Sequence, residues 1–103
     1  MPSRYTLDPE AVEDLRGIAH YTETTWGSEQ SRIYESKLIQ GFQTIVEGSL
    51  IAKPLKGENK DLFFVHCEHH YIFYLRGTKP LAIVAILHER MDLIAEIKKR
   101  LLW

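Results

Sequence analysis

The densest group of chemically reactive side chains in this sequence is the run His66-Cys67-Glu68-His69-His70. Imidazole, thiolate and carboxylate groups are all zinc ligands, so five such residues at a predicted strand turn raise the question of a metal site. If strand alternation continues through the run, His66, Glu68 and His70 share one face, while Cys67 and His69 share the other. No second pair of Cys or His residues elsewhere in the chain completes a structural tetrahedron. We therefore predict no metal site, and histidines that hydrogen-bond or face water.

A second group, His88-Glu89-Arg90-Met91-Asp92, follows a predicted strand. His88 has the chemistry of a general acid or base, and Arg90 or Arg76 has that of a counter-charge for a phosphate anion. With Glu58 or Glu89 as a carboxylate partner, these residues would suffice for RNA cleavage. The alternative is a salt-bridged corner between a strand and a helix, with Asp92 as the helix N-cap. We favour the corner, which is also compatible with a binding surface, and predict no catalytic residue.

Length and composition limit the classes of protein that this chain can belong to. Its 103 residues suffice for one domain, 1–103, and leave no room for a separate catalytic or cofactor domain. It has no Gly-rich phosphate loop, nucleophile elbow, Cys-x-x-Cys or His-Glu-x-x-His motif, so we predict no cofactor. The single Cys67 cannot form an intramolecular disulfide, and no apolar run reaches the roughly 18 residues of a membrane span. We expect a cytoplasmic protein without membrane attachment.

The charge of the chain is divided unevenly between its halves. The net charge of -1 argues against a protein that coats DNA through bulk electrostatics, and we predict no direct sequence-specific binding of nucleic acid. Residues 1–52 hold four basic and eight acidic side chains, whereas residues 53–103 hold nine basic and six acidic ones. The second half is therefore a candidate docking surface for something anionic.

Two helices are predicted in the first half of the chain. Asp8 and Pro9 are typical of a helix start, and the helical spacing of apolar residues ends before Gly27, which predicts a first helix over 9–26. Ser28 is predicted to cap a second helix, whose apolar stripe consists of Tyr34, Leu38, Phe42 and Ile45. Because only two residues separate the helices, they must fold back as an antiparallel hairpin.

The second half of the chain is rich in β-branched and aromatic residues, which favour strands. Three strands are predicted over 62–66, 70–75 and 81–88, joined by short turns into an antiparallel meander. The last strand is apolar on both faces and is therefore expected to be doubly covered, in the middle of the sheet. The segment 54–61 is predicted to be a loop.

Two shorter elements complete the predicted fold. Residues 4–7 are compatible with one edge strand, and Asp92 is predicted to cap a final helix that ends in Lys98-Lys99-Arg100. The resulting order is β-α-α-β-β-β-α, with an antiparallel helical hairpin packed on a small antiparallel sheet. This is an α+β fold.

Segments distributed over nearly the whole chain carry a resemblance to a known family. They are Leu7–Thr22, Trp26-Gly27, Pro54 with Gly57, His70–Tyr74 and, most specifically, Ile86–Asp92. In that order they resemble the first helix, the hairpin turn, the loop, the hairpin strand and the closing signature of one protein family. That family is the ParE toxins of type II toxin–antitoxin systems, which belong to the wider RelE/ParE superfamily.

The resemblance implies a poison of DNA gyrase that traps the enzyme on cleaved DNA and has no catalytic site of its own. It also implies a hetero-oligomer with a ParD-like antitoxin, whose C-terminal segment wraps the toxin over the hairpin and the sheet. The residues expected to contact the antitoxin are Val12, Leu15, Trp26, Tyr34, Leu38 and Phe42. Those expected to contact gyrase lie at the basic C-terminal end: Arg90, Met91, Lys98, Lys99 and Arg100.

Two alternatives stay open at this point. The related RelE toxins cut messenger RNA in the ribosome, and His88, Arg90, Arg76 and Glu58 would be the catalytic set for that activity here. The near-neutral charge counts against it, because a ribosome-directed nuclease requires strong attraction to phosphates. The second alternative is a chain of the same fold that is no longer toxic and acts only as a binding module.

Overall fold

The computed structural model describes residues 4–48, 51–57 and 59–101, which form three helices and five strands. The elements in chain order are β1 (Tyr5–Leu7), α1 (Pro9–Trp26), α2 (Ser28–Glu47), β2 (Lys53–Pro54), β3 (Leu62–Cys67), β4 (His70–Leu75), β5 (Leu81–His88) and α3 (Leu93–Arg100). The predicted α+β fold is confirmed. Among the described helices, none has the length and hydropathy that a membrane crossing requires.

The first helix begins and ends where the sequence predicts. Pro9 is its first residue, and the carbonyl of the extended Asp8 accepts the Val12 N–H at 3.0 Å. The side chain of Asp8 makes no capping hydrogen bond, contrary to the expectation for an N-cap Asp. The proline at the first helical position removes one of the unpaired N–H groups of the helix start.

One glycine both ends α1 and begins α2. The Gly27 N–H donates to the carbonyl of Glu23 at 2.9 Å, and its own carbonyl accepts the Ser31 N–H at 3.1 Å. Its φ of 96° lies in the region that favours glycine. Gly27 is therefore the N-cap of α2, and the prediction that Ser28 caps this helix was wrong, because Ser28 is already its first helical residue.

The five strands form one sheet in the order β1-β5-β4-β3-β2. The predicted antiparallel meander of β3, β4 and β5 is confirmed. The sheet is mixed rather than antiparallel throughout, because β1 pairs in parallel with Leu81–Ile83 of β5 after the crossover through the helical hairpin. Strand β5 lies inside the sheet as expected, although β4 is the central strand.

Strand β2 falls partly within the segment that was predicted to be a loop. Lys53 and Pro54 pair with Phe64 and Phe63 at the outer edge of the sheet. A lysine and a proline on such a short edge strand discourage further pairing at this edge.

Both faces of the sheet are covered, which explains the doubly apolar sequence of β5. The helical hairpin packs Leu38, Phe42 and Ile45 on one face, against Val65, Ile72 and Ile83. Helix α3 covers the other face, where Ile97 is fully buried with Phe73 and Leu87. A register shift between Phe73 and Tyr74 leaves one extra residue, Val84, on β5. This bulge changes which main-chain groups of β5 point to the outer edge.

Candidate functional site

A groove of about 920 Å³ runs between the flank of α1 and the far end of β5. Its walls come from α1, the start of α2, the start of β4 and the segment from Ile86 to Met91. Two large aromatic side chains stand at its rim, Tyr21 and Trp26, with exposed fractions of 67% and 70%. Exposed aromatic residues beside a groove are typical of a surface that binds another protein.

The half-buried Tyr34 and the buried His70 form the floor of the groove. The hydroxyl of Tyr34 lies 2.6 Å from Nδ1 of His70, and it also accepts the His69 N–H at 3.0 Å. In the tautomer with the proton on Nε2, Nδ1 of His70 accepts the hydroxyl hydrogen of Tyr34. Burial and the neighbouring His88 lower the pKa of His70 to about 4. His70 is thus neutral near pH 7, and its role is to hold α2 against β4.

The end of β5 forms the corner that the sequence predicts. The Nδ1 atom of His88 accepts the Arg90 N–H at 3.1 Å, and its carbonyl accepts the Met91 N–H at 3.0 Å. Asp92 then caps α3 by accepting the Ala95 N–H at 3.1 Å, as expected. The imidazole of His88 therefore helps to fix the corner through its hydrogen bond with the Arg90 N–H.

Two of the residues proposed for RNA cleavage, His88 and Arg76, lie far apart. His88 pairs in register with His70, at the beginning of β4, whereas Arg76 follows the last residue of β4. Six residues of strand separate the two ends, a distance of about 20 Å. The guanidinium of Arg76 instead lies 3.7 Å from the centre of the Phe63 ring. Arg90 remains beside His88, and Glu58 lies outside the described residues.

The histidine-rich run divides between the two faces of the sheet, in a different way from the sequence prediction. Cys67 pairs in register with His70, and both lie on the hairpin face, whereas His66 stacks on Tyr71 on the other face. The alternation breaks at the turn, where Glu68 has a φ of 56°. Across residues 4–48, 51–57 and 59–101, no group of three or more potential ligands is arranged to hold a metal ion.

Two histidines of this run face Glu89. His69 Nδ1 lies 3.3 Å and His66 Nε2 lies 3.6 Å from the Glu89 carboxylate. Partial burial opposes ionisation of Glu89, but the hydrogen bond from His69 and the charges of His69 and His66 lower its pKa. The Glu89 N–H also donates to the His69 carbonyl at 3.0 Å. These contacts fix the β3–β4 turn to the corner after β5.

The strongest ionic contact of the groove region was not predicted from the sequence. Asp14 of α1 accepts both terminal nitrogens of Arg100, at 2.6 and 2.8 Å, and also the Ile86 N–H at 2.9 Å. Both side chains are largely buried, with exposed fractions of 13% for Asp14 and 16% for Arg100. The hydrogen bond with Asp14 raises the pKa of Arg100. Arg100, which was also predicted to contact gyrase, therefore has a structural role in this fold.

The other residues of the two predicted contact sets differ in their accessibility. Leu38 and Phe42 are fully buried under the helical hairpin, so they belong to the core and offer no surface to an antitoxin. Val12 and Leu15 are half-buried, while Trp26 and Tyr34 line the groove. Of the set predicted for gyrase, the four exposed members are Arg90, Met91, Lys98 and Lys99.

Comparison with known proteins shows the family of this chain. Residues 5–93 match the family described as the ParE toxin of the type II toxin–antitoxin system parDE. The chain is a member of the ParE toxin family. It is 45% identical over 98 residues to Toxin ParE of Escherichia coli, which covers 94% of this chain and 95% of the relative. It is 30% identical over 95 residues to Toxin ParE1 of Caulobacter vibrioides, which covers 90% of this chain and 96% of that toxin.

The fold of the ParE-family chain also matches a solved structure. A chain of the chromosomal ParDE toxin–antitoxin system from P. aeruginosa superposes with a TM-score of 0.70. The match covers 84% of this chain and 98% of the other, at 13% sequence identity. At that identity the likeness establishes the shared fold.

Proposed function

We propose that this ParE-family chain poisons DNA gyrase, has no catalytic site of its own and acts in the cytoplasm, where a ParD-like antitoxin neutralises it in a hetero-oligomer. The observation that carries the proposal is the family match over residues 5–93, together with 45% identity to Toxin ParE of Escherichia coli over nearly the full length of both chains. A poison of this kind acts by binding, so it needs a surface rather than a set of reacting groups.

The separation of the candidate nuclease residues supports binding over catalysis. General acid–base cleavage requires the acid, the base and the phosphate-stabilising cation within hydrogen-bond reach of one bond. Here His88 and Arg76 stand at opposite ends of β4, and His88 Nδ1 is already occupied by the Arg90 N–H. The RNA-cleavage alternative is therefore the weaker one.

For gyrase, we propose a contact surface formed by Arg90, Met91, Lys98 and Lys99. Met91 is 41% exposed on the corner that leads into α3, and the two lysines lie in the last turn of that helix. Ile94, which is 43% exposed, adds apolar area to the same helix. A mixed basic and apolar surface on a helix that is anchored by Ile97 suits a protein partner.

For the antitoxin, we propose the groove, with Trp26 and Tyr34 from the predicted set and Tyr21 as an additional contact. The large exposed areas of Tyr21 and Trp26 provide the aromatic anchors that most often carry the binding energy of an interface. Val12 and Leu15 are available only in part, because they also pack towards the core. The two proposed surfaces meet at Arg90 and Met91, which line the groove.

Growth assays test this proposal in cells. Induction of the chain alone should arrest growth, and co-expression of the ParD-like antitoxin from the same operon should restore it. The double variant Tyr21→Ala/Trp26→Ala should still arrest growth but escape the antitoxin, because the anchors of the groove are lost. Growth that continues during induction of the soluble, folded chain would support the non-toxic binding module instead.

A further inference from the structure

The sheet face opposite the helical hairpin is only partly covered. Helix α3 lies on this face, and the buried side chain of this eight-residue helix, Ile97, packs with Phe73 and Leu87. A helix with its side chains is about 10 Å wide, whereas neighbouring strands lie about 4.8 Å apart, so α3 covers about two strands. Phe64 of β3 and Tyr71 of β4 pack at the border of this core and stay partly exposed. The part of the face towards β2 is therefore accessible.

Three aromatic rings on this accessible part contact one another. The imidazole of His66 stacks on the Tyr71 ring, with 4.6 Å between the centroids and 21° between the planes. Phe64 meets Tyr71 edge to face, with 5.7 Å between the centroids. The side chain of His66 is 52% exposed. We name Phe64, His66 and Tyr71 the aromatic patch.

The stack of rings ends at His66 because β2 is short. Strand β2 consists of two residues, and its pairing with β3 ends at Lys53, opposite Phe64. Within the described residues, no strand continues beside His66, and its ring contacts no other ring besides those of Tyr71. The other side of the imidazole, towards the edge of the sheet, is therefore accessible to a further planar group.

The main chain of His66 points to the same edge. The Leu62 carbonyl accepts the Leu55 N–H at 2.9 Å, which places the main-chain groups of Leu62 on the β2 side of β3. Because β3 pairs with β4 without a register shift, every second residue directs its N–H and its carbonyl to that side. Those of His66 are therefore directed outwards, and no main-chain group in the described part of the chain pairs with them. The edge offers one hydrogen-bond donor and one acceptor beside the imidazole.

The charge on this side of the molecule favours an anionic partner. Helices α1 and α2 carry seven acidic and three basic residues, whereas α3 and β2 carry one acidic and four basic ones. Lys53 is exposed and pairs with Phe64, so it lies on the face of the aromatic patch, roughly 7 to 8 Å from His66 along the diagonal. The Glu89 carboxylate is close to the patch, but it is engaged by His66 and His69.

A ligand that is both planar and anionic fits these observations. Nucleobases stack on aromatic side chains, and phosphates bind to lysine and to main-chain N–H groups. In a double helix the bases are stacked on one another, whereas an unpaired base of a single strand can stack on a protein ring.

We propose that the aromatic patch binds a short single-stranded segment of nucleic acid. One base stacks on the exposed side of the His66 ring, the adjacent phosphate contacts the Lys53 ammonium, and the His66 main chain hydrogen-bonds with the phosphate or the sugar. None of these contacts reads the edge of a base, so binding is independent of sequence. With one lysine beside the patch, the affinity is modest and decreases with salt. The inference does not depend on the proposed action on gyrase.

The first test measures fluorescence anisotropy of labelled oligonucleotides, about eight nucleotides long, on addition of the purified chain at low salt. Oligo-dT and oligo-rU, in separate arms, show whether the sugar matters. The single strand that binds better should bind at least tenfold more tightly than a DNA duplex of the same length. Equal or tighter binding of the duplex would show attraction to phosphates alone and overturn the inference. No binding of either single strand would also overturn it and leave a protein as the remaining partner for the patch.

The second test separates stacking from charge. His66→Ala should weaken binding at least fivefold, because one stacked base is lost, whereas His66→Tyr keeps a ring and should bind within about threefold of the original chain. Lys53→Glu should also weaken binding at least fivefold. The matched control is Lys37→Glu, the same change of charge at an exposed position of α2 on the other side of the sheet, which should bind within twofold. Unchanged binding by His66→Ala, or equal losses in the two lysine variants, would contradict the inference.

The third test locates the bound strand by NMR. On addition of the better-binding oligonucleotide, the ring protons of His66 should move upfield, because a stacked base adds its ring current. The His66 amide should shift as well, since its N–H faces the proposed site. Shifts that are confined to α3 or to the groove would place the strand elsewhere and overturn the inference.

Discussion

Asp14 and Arg100 join the first and the last helix of the chain through two hydrogen bonds of 2.6 and 2.8 Å. The same carboxylate accepts the Ile86 N–H at 2.9 Å, and Glu10 lies 3.3 Å from Nε of Arg100. One side chain thus connects the helical hairpin, the outer edge of β5 and the helix that covers the opposite face of the sheet. The proposed antitoxin groove and the proposed gyrase surface share this connection.

Removal of the guanidinium should destabilise the fold. We expect Arg100→Met to lower the free energy of unfolding by about 2 to 3 kcal/mol, because Asp14 would keep a largely buried charge without its cation. The control is Lys99→Met, which removes only the exposed pair with Glu96 and should cost at most about 0.5 kcal/mol. Urea unfolding of the two variants measures the difference. Equal losses would contradict the structural role of Arg100.

Two helical glycines should respond to alanine in opposite directions. A Cβ at Gly41 would lie 2.9 Å from Sγ of Cys67 and 3.3 Å from Cδ1 of Ile72, whereas one at Gly17 would meet nothing. We expect Gly17→Ala to raise the free energy of unfolding by up to about 1 kcal/mol through helix propensity. Gly41→Ala should lower it by about 1 kcal/mol, because overpacking there outweighs the same gain.

The double variant Gly41→Ala/Cys67→Ala provides the control for this pair. Removal of the thiol removes the closest clash, so the double variant should be more stable than Cys67→Ala alone. Denaturant unfolding of all four proteins gives the comparison. If Gly41→Ala stabilised the chain as much as Gly17→Ala, the packing described between α2 and β3 would be wrong.

The stability of the chain should depend on the ionisation of His70. Burial and the neighbouring His88 lower the pKa of His70 from 6.5 to about 4. Between these two pH values the His70 imidazole therefore binds a proton in the unfolded chain but not in the folded one. Stability is therefore complete above pH 6.5 and is lost as the pH falls towards 4. We expect the free energy of unfolding to decrease by about 2 kcal/mol between pH 7 and pH 4.5 from this residue.

The variant His70→Asn isolates this contribution. Its amide can keep a hydrogen bond with Tyr34 but does not titrate, so its unfolding free energy should change by about 2 kcal/mol less over the same pH range. Urea unfolding at both pH values, for both proteins, measures this difference. A variant with the same pH dependence as the original chain would contradict the burial of a neutral His70.

The parts of the fold that local patterns determine were predicted correctly from the sequence. Pro9 and Gly27 mark the ends of α1 through their own backbone preferences, and the apolar run 81–87 requires cover on both faces. The two-residue β2 was missed because Lys53 and Pro54 have no strand pattern, and its pairing depends on β3 alone. The parallel direction of β1 is decided by its partner and not by its own residues.

The site was harder to predict, because its contacts join distant parts of the chain. Asp14 and Arg100 are 86 positions apart, and each has a satisfactory local explanation as part of a solvated helix. The alternation applied to His66–His70 fails because a turn interrupts it at Glu68. Leu38 and Phe42 were assigned to a partner surface because an apolar stripe alone does not distinguish a core from an interface.

Charge reversal on α3 should separate toxicity from stability. We expect Lys98→Glu/Lys99→Glu to abolish growth arrest while its unfolding free energy stays within about 1 kcal/mol of the original, because both side chains are exposed. Arg100 stays unchanged, since loss of its ion pair with Asp14 would itself lower the stability of the fold. The control Lys53→Glu/Lys56→Glu makes the same change in charge on and after β2 and should remain toxic. Toxicity that survives in the α3 variant would exclude these lysines from the gyrase contact.

The central claim is that the chain acts on gyrase by binding. The most direct measurement adds the purified chain to gyrase with supercoiled DNA, and in parallel to ribosomes that carry a defined messenger RNA. We predict that gyrase accumulates on cleaved DNA and that the messenger RNA stays intact. Cut messenger RNA beside unaffected gyrase would contradict the account and make His88 and Arg90 the residues of an active site.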